Sequence, residues 1–161
     1  MRKFEIISEK QWELDIEEEF AYQCSVEGHI KPRRGTKYSA GYDFISPVKI
    51  TVKAHEMTKI PTGIKASMEH DEALFIYPRS SIGFKTGIRL ANTVGIVDSD
   101  YYNNTNNEGH IFIKFYNPTD TDFEINIGDK IAQGIFMKYL TVDDEEDINT
   151  ERSGGLGSTG K

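Results

Sequence analysis

Apolar residues in this chain recur at every second position in short runs, and each run is closed by turn-forming residues. Val48, Ile50 and Val52 alternate with polar neighbours, as do Ile64, Ala66 and Met68. Ile111, Ile113 and Phe115 lead into Asn117-Pro118-Thr119-Asp120, and Phe123, Ile125 and Ile127 lead into Gly128-Asp129. A period of two places one set of side chains on one face of a strand, and Gly, Pro, Asn and Asp supply the turns. Residues 73–77 and 131–139 are more continuously apolar and read as further strands. Many short strands at this spacing define an all-β sandwich, barrel or jelly roll. At 161 residues the chain is long enough for one such domain.

Two places depart from the strand pattern. Ser8 and Gln11 fit a capping box, and Trp12, Ile16 and Phe20 then share a helical face. Trp12, Leu14 and Ile16 also fit strand alternation, so both readings stand. A short helix is expected around residues 80–85, after Pro78. The chain divides into a β domain over residues 1–140, with an acidic insertion at about residues 8–28. An acidic linker over 141–151 and a tail over 152–161 follow.

The net charge of −7 is unevenly spread. Five acids lie between Glu13 and Glu19 and five more run from Asp143 to Asp147; the remaining 16 acids face 19 bases, a balance of +3. The body therefore tolerates an anionic ligand. No run of Lys or Arg marks a nucleic-acid surface. A single cysteine, Cys24, excludes an intrachain disulfide and a thiolate metal cluster. No long apolar run is present and none follows Arg2 and Lys3, so the expectation is a soluble cytoplasmic protein without membrane attachment. His29, His55, His70 and His110 are not at metal-ligand spacing.

Five segments carry chemistry. The last ten residues hold four glycines, Ser158 and Thr159 side by side, and Arg152. They have too little apolar surface to join a core, but mobile N–H groups, hydroxyls and a guanidinium suit a polyphosphate. Pro78-Arg79-Ser80-Ser81 offers a cation and two hydroxyls at a helix start, which suits an anion or merely caps the helix. Ala40-Gly41-Tyr42-Asp43-Phe44 sets a carboxylate beside aromatics, or forms a structural turn. Asp98 follows a strand-like stretch in Asn92–Tyr101, where it can accept a proton from water or form a turn. Gln133, after Gly128-Asp129-Lys130-Ile131-Ala132, is the polar member of a buried strand, facing solvent or a ligand.

In their joint order these five segments resemble the five motifs of the trimeric deoxyuridine triphosphatases (dUTPases), over roughly Lys31 to Lys161. The resemblance implies a jelly-roll-like β subunit with a flexible C-terminal glycine-rich arm. It implies a homotrimer with sites at subunit interfaces, and Mg²⁺-dependent hydrolysis of dUTP to dUMP and pyrophosphate. In that family Asp98 matches the general base that aligns water on the α-phosphorus. Tyr101 matches the aromatic packed on the deoxyribose, and Asn92 with the hairpin from Gly95 matches the uracil reader. Arg79, Ser80, Ser81 and Gln133 match phosphate contacts. Arg152, Ser158 and Thr159 match the closing tail, and Leu156 stands where the family has Phe over the base. The family's Mg²⁺ is held by phosphate oxygens and water, with Asp43 acting through water rather than as a direct ligand.

Tyr102 to Asn107 lengthens a hairpin that is tight in most of the family; some Gram-positive and phage members share this feature. The acidic insertion has no counterpart in the minimal pattern, which suggests a surface excursion or a docking element for a repressor-like regulatory partner. A deoxycytidine triphosphate deaminase shares the implied fold. Asp98-Ser99-Asp100-Tyr101 and the intact tail favour hydrolysis at phosphorus over deamination of a base.

Overall fold

The computed structural model describes residues 1–16, 20 and 25–146. Cys24, the end of the acidic linker, and Arg152, Leu156, Ser158 and Thr159 of the tail lie outside these residues. The described chain is mostly β, and its arrangement is jelly-roll-like. The principal sheet has five antiparallel strands in the order β2 (Arg33–Arg34), β3 (Tyr42–Ile45), β12 (Lys130–Lys138), β7 (Glu72–Pro78) and β9 (Gly95–Asp98). A three-stranded sheet orders β5 (Met57–Pro61), β10 (Phe112–Tyr116) and β8 (Arg89–Leu90). Two pairs complete the set: β1 (Lys3–Ile6) with β6 (Ile64–Ser67), and β4 (Ile50–Val52) with β11 (Phe123–Ile125).

Alternation does what it is expected to do. In β10, Ile113 and Phe115 are buried while Lys114 is exposed; in β6, Ile64 and Ala66 point inward. These side chains meet Phe44, Leu74, Ile60 and Ile131 in one core. β7 and β12 are paired on both edges, so their near-continuous apolar runs fill the sheet centre. Glu72 is buried at the start of β7, where Arg2 grips both carboxylate oxygens. Hydrogen bonds from Arg2, opposed by burial, hold its carboxyl below the usual range.

The open choice at residues 8–16 falls to helix. α1 (Glu9–Asp15) begins at Ser8, whose hydroxyl accepts from the Gln11 N–H at 3.1 Å. Trp12 is 1% exposed and Phe20 is also buried, because the apolar face of this segment closes over the β body. The surface excursion expected for residues 8–28 is therefore corrected for its described part, which is docked on the core. The proposed regulatory partner on this segment gains no support from that placement. The second helix, α2 (Ser80–Thr86), lies where the sequence places it and ends at Gly87 with a left-handed φ of 75°. Among the described residues no helix is long and apolar enough to cross a membrane.

Candidate functional site

A cavity of about 570 Å³ opens between β9 and the start of β10. Its wall includes Asn92, Gly95, Asp98 and Tyr101, four residues singled out from the sequence, together with Ile76, Leu90, Val97, Ile111, Phe112 and Ile113. The pairing of β9 with β7 sets this arrangement, with Gly95 opposite Ile76 and Asp98 opposite Ala73. A Cβ at position 95 would lie 3.1 Å from the Cβ of Ile76, so glycine lets the two strands approach. Asp98 is exposed at the strand end and starts the 3-10 turn Ser99–Tyr101. That turn carries the Tyr101 ring back to the cavity wall. Apolar walls with a few fixed polar groups suit a flat, partly polar ligand.

The lengthened hairpin is not loose. Asn104 Oδ1 accepts from the N–H groups of Asn106 at 3.0 Å and Asn107 at 3.1 Å, forming a turn, while its Nδ2 donates to Asn107 Oδ1 at 2.9 Å. Asn107 Nδ2 donates to the Tyr101 hydroxyl at 2.8 Å, and that hydroxyl donates to the His110 carbonyl at 2.9 Å. Gly109, at φ 82°, permits the return; a Cβ there would stand 2.6 Å from the Tyr101 carbonyl. Glu108 accepts from the Ser8 N–H at 3.1 Å and from Lys65 at 3.3 Å. Burial raises its carboxyl, but the hydrogen bonds from Ser8 and Lys65 win and hold it below the usual range. Sequence reading did not find Asn107, His110 or Asp15. Asn-rich hairpins read as solvated turns, and only the fold shows that Asn104 and Asn107 are buried.

The phosphate-type residues form a second cluster. Asp43 on β3 is buried and forms ion pairs with Arg79, whose Nε lies 3.1 Å from Oδ1, and with Lys130, whose Nζ lies 2.8 Å from Oδ2. Gln133 lies opposite Asp43 on β12, and its Nε2 donates to the Pro78 carbonyl at 3.3 Å. A register shift between Lys130 and Ala132 separates the two β12 side chains from simple alternation. Ser80 and Ser81 are exposed in the first turn of α2 beside Arg79. Gln133 therefore does not merely face solvent, and Lys130 is a cation the sequence reading passed over.

An all-β subunit with a mostly apolar cavity, and apart from it a cluster in which Arg79 and Lys130 meet Asp43, has the chemistry to suit a nucleotide. The comparisons with known proteins place it more narrowly. The dUTPase family model matches residues 27–160. The deoxyuridine 5'-triphosphate nucleotidohydrolase of Lactococcus lactis subsp. lactis (strain IL1403) is 46% identical over 130 residues, 80% of this chain and 87% of that protein. The crystal structure of dUTPase from Streptococcus mutans superposes with a TM-score of 0.70 at 36% identity, covering 87% of this chain and 98% of that one. The dUTPase from phage phi11 of S. aureus, at 18% identity, shares the fold with a TM-score of 0.69, covering 95% of this chain and 99% of that one. The chain belongs to the dUTPase family, nucleotide hydrolases that convert dUTP to dUMP.

Proposed function

We propose that the cavity binds the deoxyuridine of dUTP and that Asp98 is the general base for its hydrolysis. The meeting of Asn92, Gly95, Asp98 and Tyr101 around one cavity carries this reading. Asn92 and the backbone near Gly95 hydrogen-bond the uracil edge. The Tyr101 ring packs on the deoxyribose and leaves no space for a 2′-hydroxyl. Asp98 takes a proton from water as the water oxygen bonds to the α-phosphorus. The bond to the bridging oxygen breaks, and pyrophosphate leaves with those electrons.

The strand register supports a homotrimer with shared sites. Arg79 lies six residues beyond Ala73, the residue opposite Asp98, which is about 20 Å along an extended strand. Gly95 and the uracil lie on the Arg79 side of Asp98, so the phosphates leave in the other direction. Arg79 and Asp98 of one subunit therefore do not reach one triphosphate. The Arg79, Ser80, Ser81 and Gln133 surface serves a site whose Asp98 comes from a neighbouring subunit, as closed cyclic assembly provides. The tail, with Arg152, Ser158 and Thr159, closes over the phosphates, and Leu156 covers the base.

Mg²⁺ on the triphosphate would neutralise developing charge and orient the phosphates. An ion held by phosphate oxygens and water requires only acceptors for its water shell. Asp43 fits that demand: its carboxylate, paired with Arg79 and Lys130, keeps oxygen lone pairs that can accept from water. Incubation with dUTP, UTP, dCTP and dTTP plus Mg²⁺ tests the reading. Pyrophosphate and dUMP are expected from dUTP alone, and release of ammonia from dCTP would replace it with deamination.

A further inference from the structure

Tyr101 is held from behind the cavity by residues that touch no nucleotide in the reading above. Its hydroxyl donates to the His110 carbonyl and accepts from Asn107 Nδ2. His110 is wholly buried, and its imidazole is fixed at both nitrogens. Nε2 accepts from the Gly63 N–H at 2.9 Å, so the ring proton resides on Nδ1, which donates to Asp15 Oδ2 at 2.7 Å. Asp15 is the last residue of α1, and Trp12 of the same helix packs beside the rings of His29 and His110. At the other end of the helix, Ser8 holds Glu108 of the hairpin.

We propose that Asn107 and, through His110, Asp15 are positioning residues that hold the Tyr101 ring against the sugar. Helix α1 and the lengthened hairpin then act together as the brace of the 2′-position filter. The physical requirement is rigidity. A ring free to tilt by a fraction of its width admits a 2′-hydroxyl, whereas a ring tethered at its far end does not. The tether runs through the buried side chains of Asn107 and His110, so displacement of the ring breaks several bonds together.

This rests on the reading of Tyr101 as the sugar-facing ring, and the experiment separates the two. The ratio of kcat/KM for dUTP to that for UTP is measured with Mg²⁺ for the full chain and for Tyr101→Phe, Asn107→Ala, Asp15→Asn and Tyr101→Ala. Thermal melting is followed alongside. Tyr101→Phe keeps the ring and removes the tether, and it should lower discrimination by about two- to tenfold, the size of one net hydrogen bond. Asn107→Ala should do the same, and the double variant should lose little more than either single one. Asp15→Asn should move the ratio in the same direction, by less. A fall in melting temperature with an unchanged ratio in all three overturns the proposal and leaves a structural role. If Asn107→Ala fails to fold, Tyr101→Phe and Asp15→Asn decide the matter. Full discrimination in Tyr101→Ala removes the sugar-pocket reading itself and the proposal with it. Loss in Tyr101→Ala alone removes only the brace.

Discussion

The cavity beside β9 and the ion cluster where β3, β12 and the end of β7 meet are built by opposite means. In the cavity, Lys59, Asp98 and Lys114 stand in an otherwise mostly apolar wall, and shape comes from strand register, from a glycine at 95, and from a hairpin pinned by buried amides. In the cluster, two cations converge on one carboxylate, and Arg79 and Lys130 are partly exposed. A ring is recognised by fixed walls, because its discriminating contacts depend on placement to a fraction of an ångström. A polyphosphate is recognised by charge, which acts over longer distances and tolerates adjustment. The rigid region should therefore set which nucleotide is accepted, and the charged region how tightly its phosphates are held.

Asp98→Asn should break the comparison most severely. The amide keeps the shape of the cavity but takes no proton, so kcat should fall by ~10²–10⁴-fold while dUTP binding persists. Single-turnover kinetics with a separate binding titration check this, and near-normal kcat would dismiss Asp98 as the base. Arg79→Ala acts on the other region. A charge-assisted hydrogen bond is worth about 1.5–3 kcal/mol, so kcat/KM should fall by roughly 10- to 150-fold. Mixing the two impaired variants by co-refolding sharpens the contrast. If a site draws Asp98 and Arg79 from different subunits, mixed assemblies regain part of the activity; sites complete within one subunit regain none.

Leu156→Phe should have a smaller effect. An aromatic over uracil adds about 0.5–1.5 kcal/mol beyond area burial, which tightens KM by roughly two- to tenfold with kcat nearly constant. A raised KM in steady-state assays would show that the hairpin already occupies that space. The smallest effect at neutral pH belongs to His29, which packs beside Trp12. Burial, with a contribution from neighbouring His110, pushes its pKa down to about 4 from 6.5. Its folded pKa lies below the unfolded one, so stability is fully present above pH 6.5 and declines as pH falls towards about 4. His110, also lowered chiefly by burial although Asp15 opposes this, acts in the same sense. His29→Gln should flatten part of that decline in denaturant unfolding at pH 5 against pH 7; an unchanged slope would mean that other groups carry it.

Much of the β framework was legible because period two survives wherever one face of a strand is buried. β4, β6, β10 and β11 follow directly from Ile50, Ile64, Ile113 and Ile125. β3 was harder: Tyr42-Asp43-Phe44 reads as a turn beside a glycine, yet it pairs with both β2 and β12. The segment from Ser8 to Ile16 was ambiguous because its apolar residues satisfy both periods. The core settled it by taking Trp12 from a helical turn capped at Ser8.

The sequence by itself determined the class of fold, through alternation and turn chemistry, and the residue types needed for nucleotide hydrolysis, through the order of its five segments. Alternation and the make-up of each segment are local properties, written in residues a few positions apart, and the order of the segments is read directly along the chain. Tertiary structure alone decided that Asp98 and Tyr101 share a cavity with Asn92 while Arg79 lies along β7 from them. It alone turned Asn104 and Asn107 from solvated turn residues into buried ties, and carried Asp15 to His110 across 95 positions of sequence. Such contacts depend on strand register and on which polar groups lose their water, and neither is encoded in neighbouring residues.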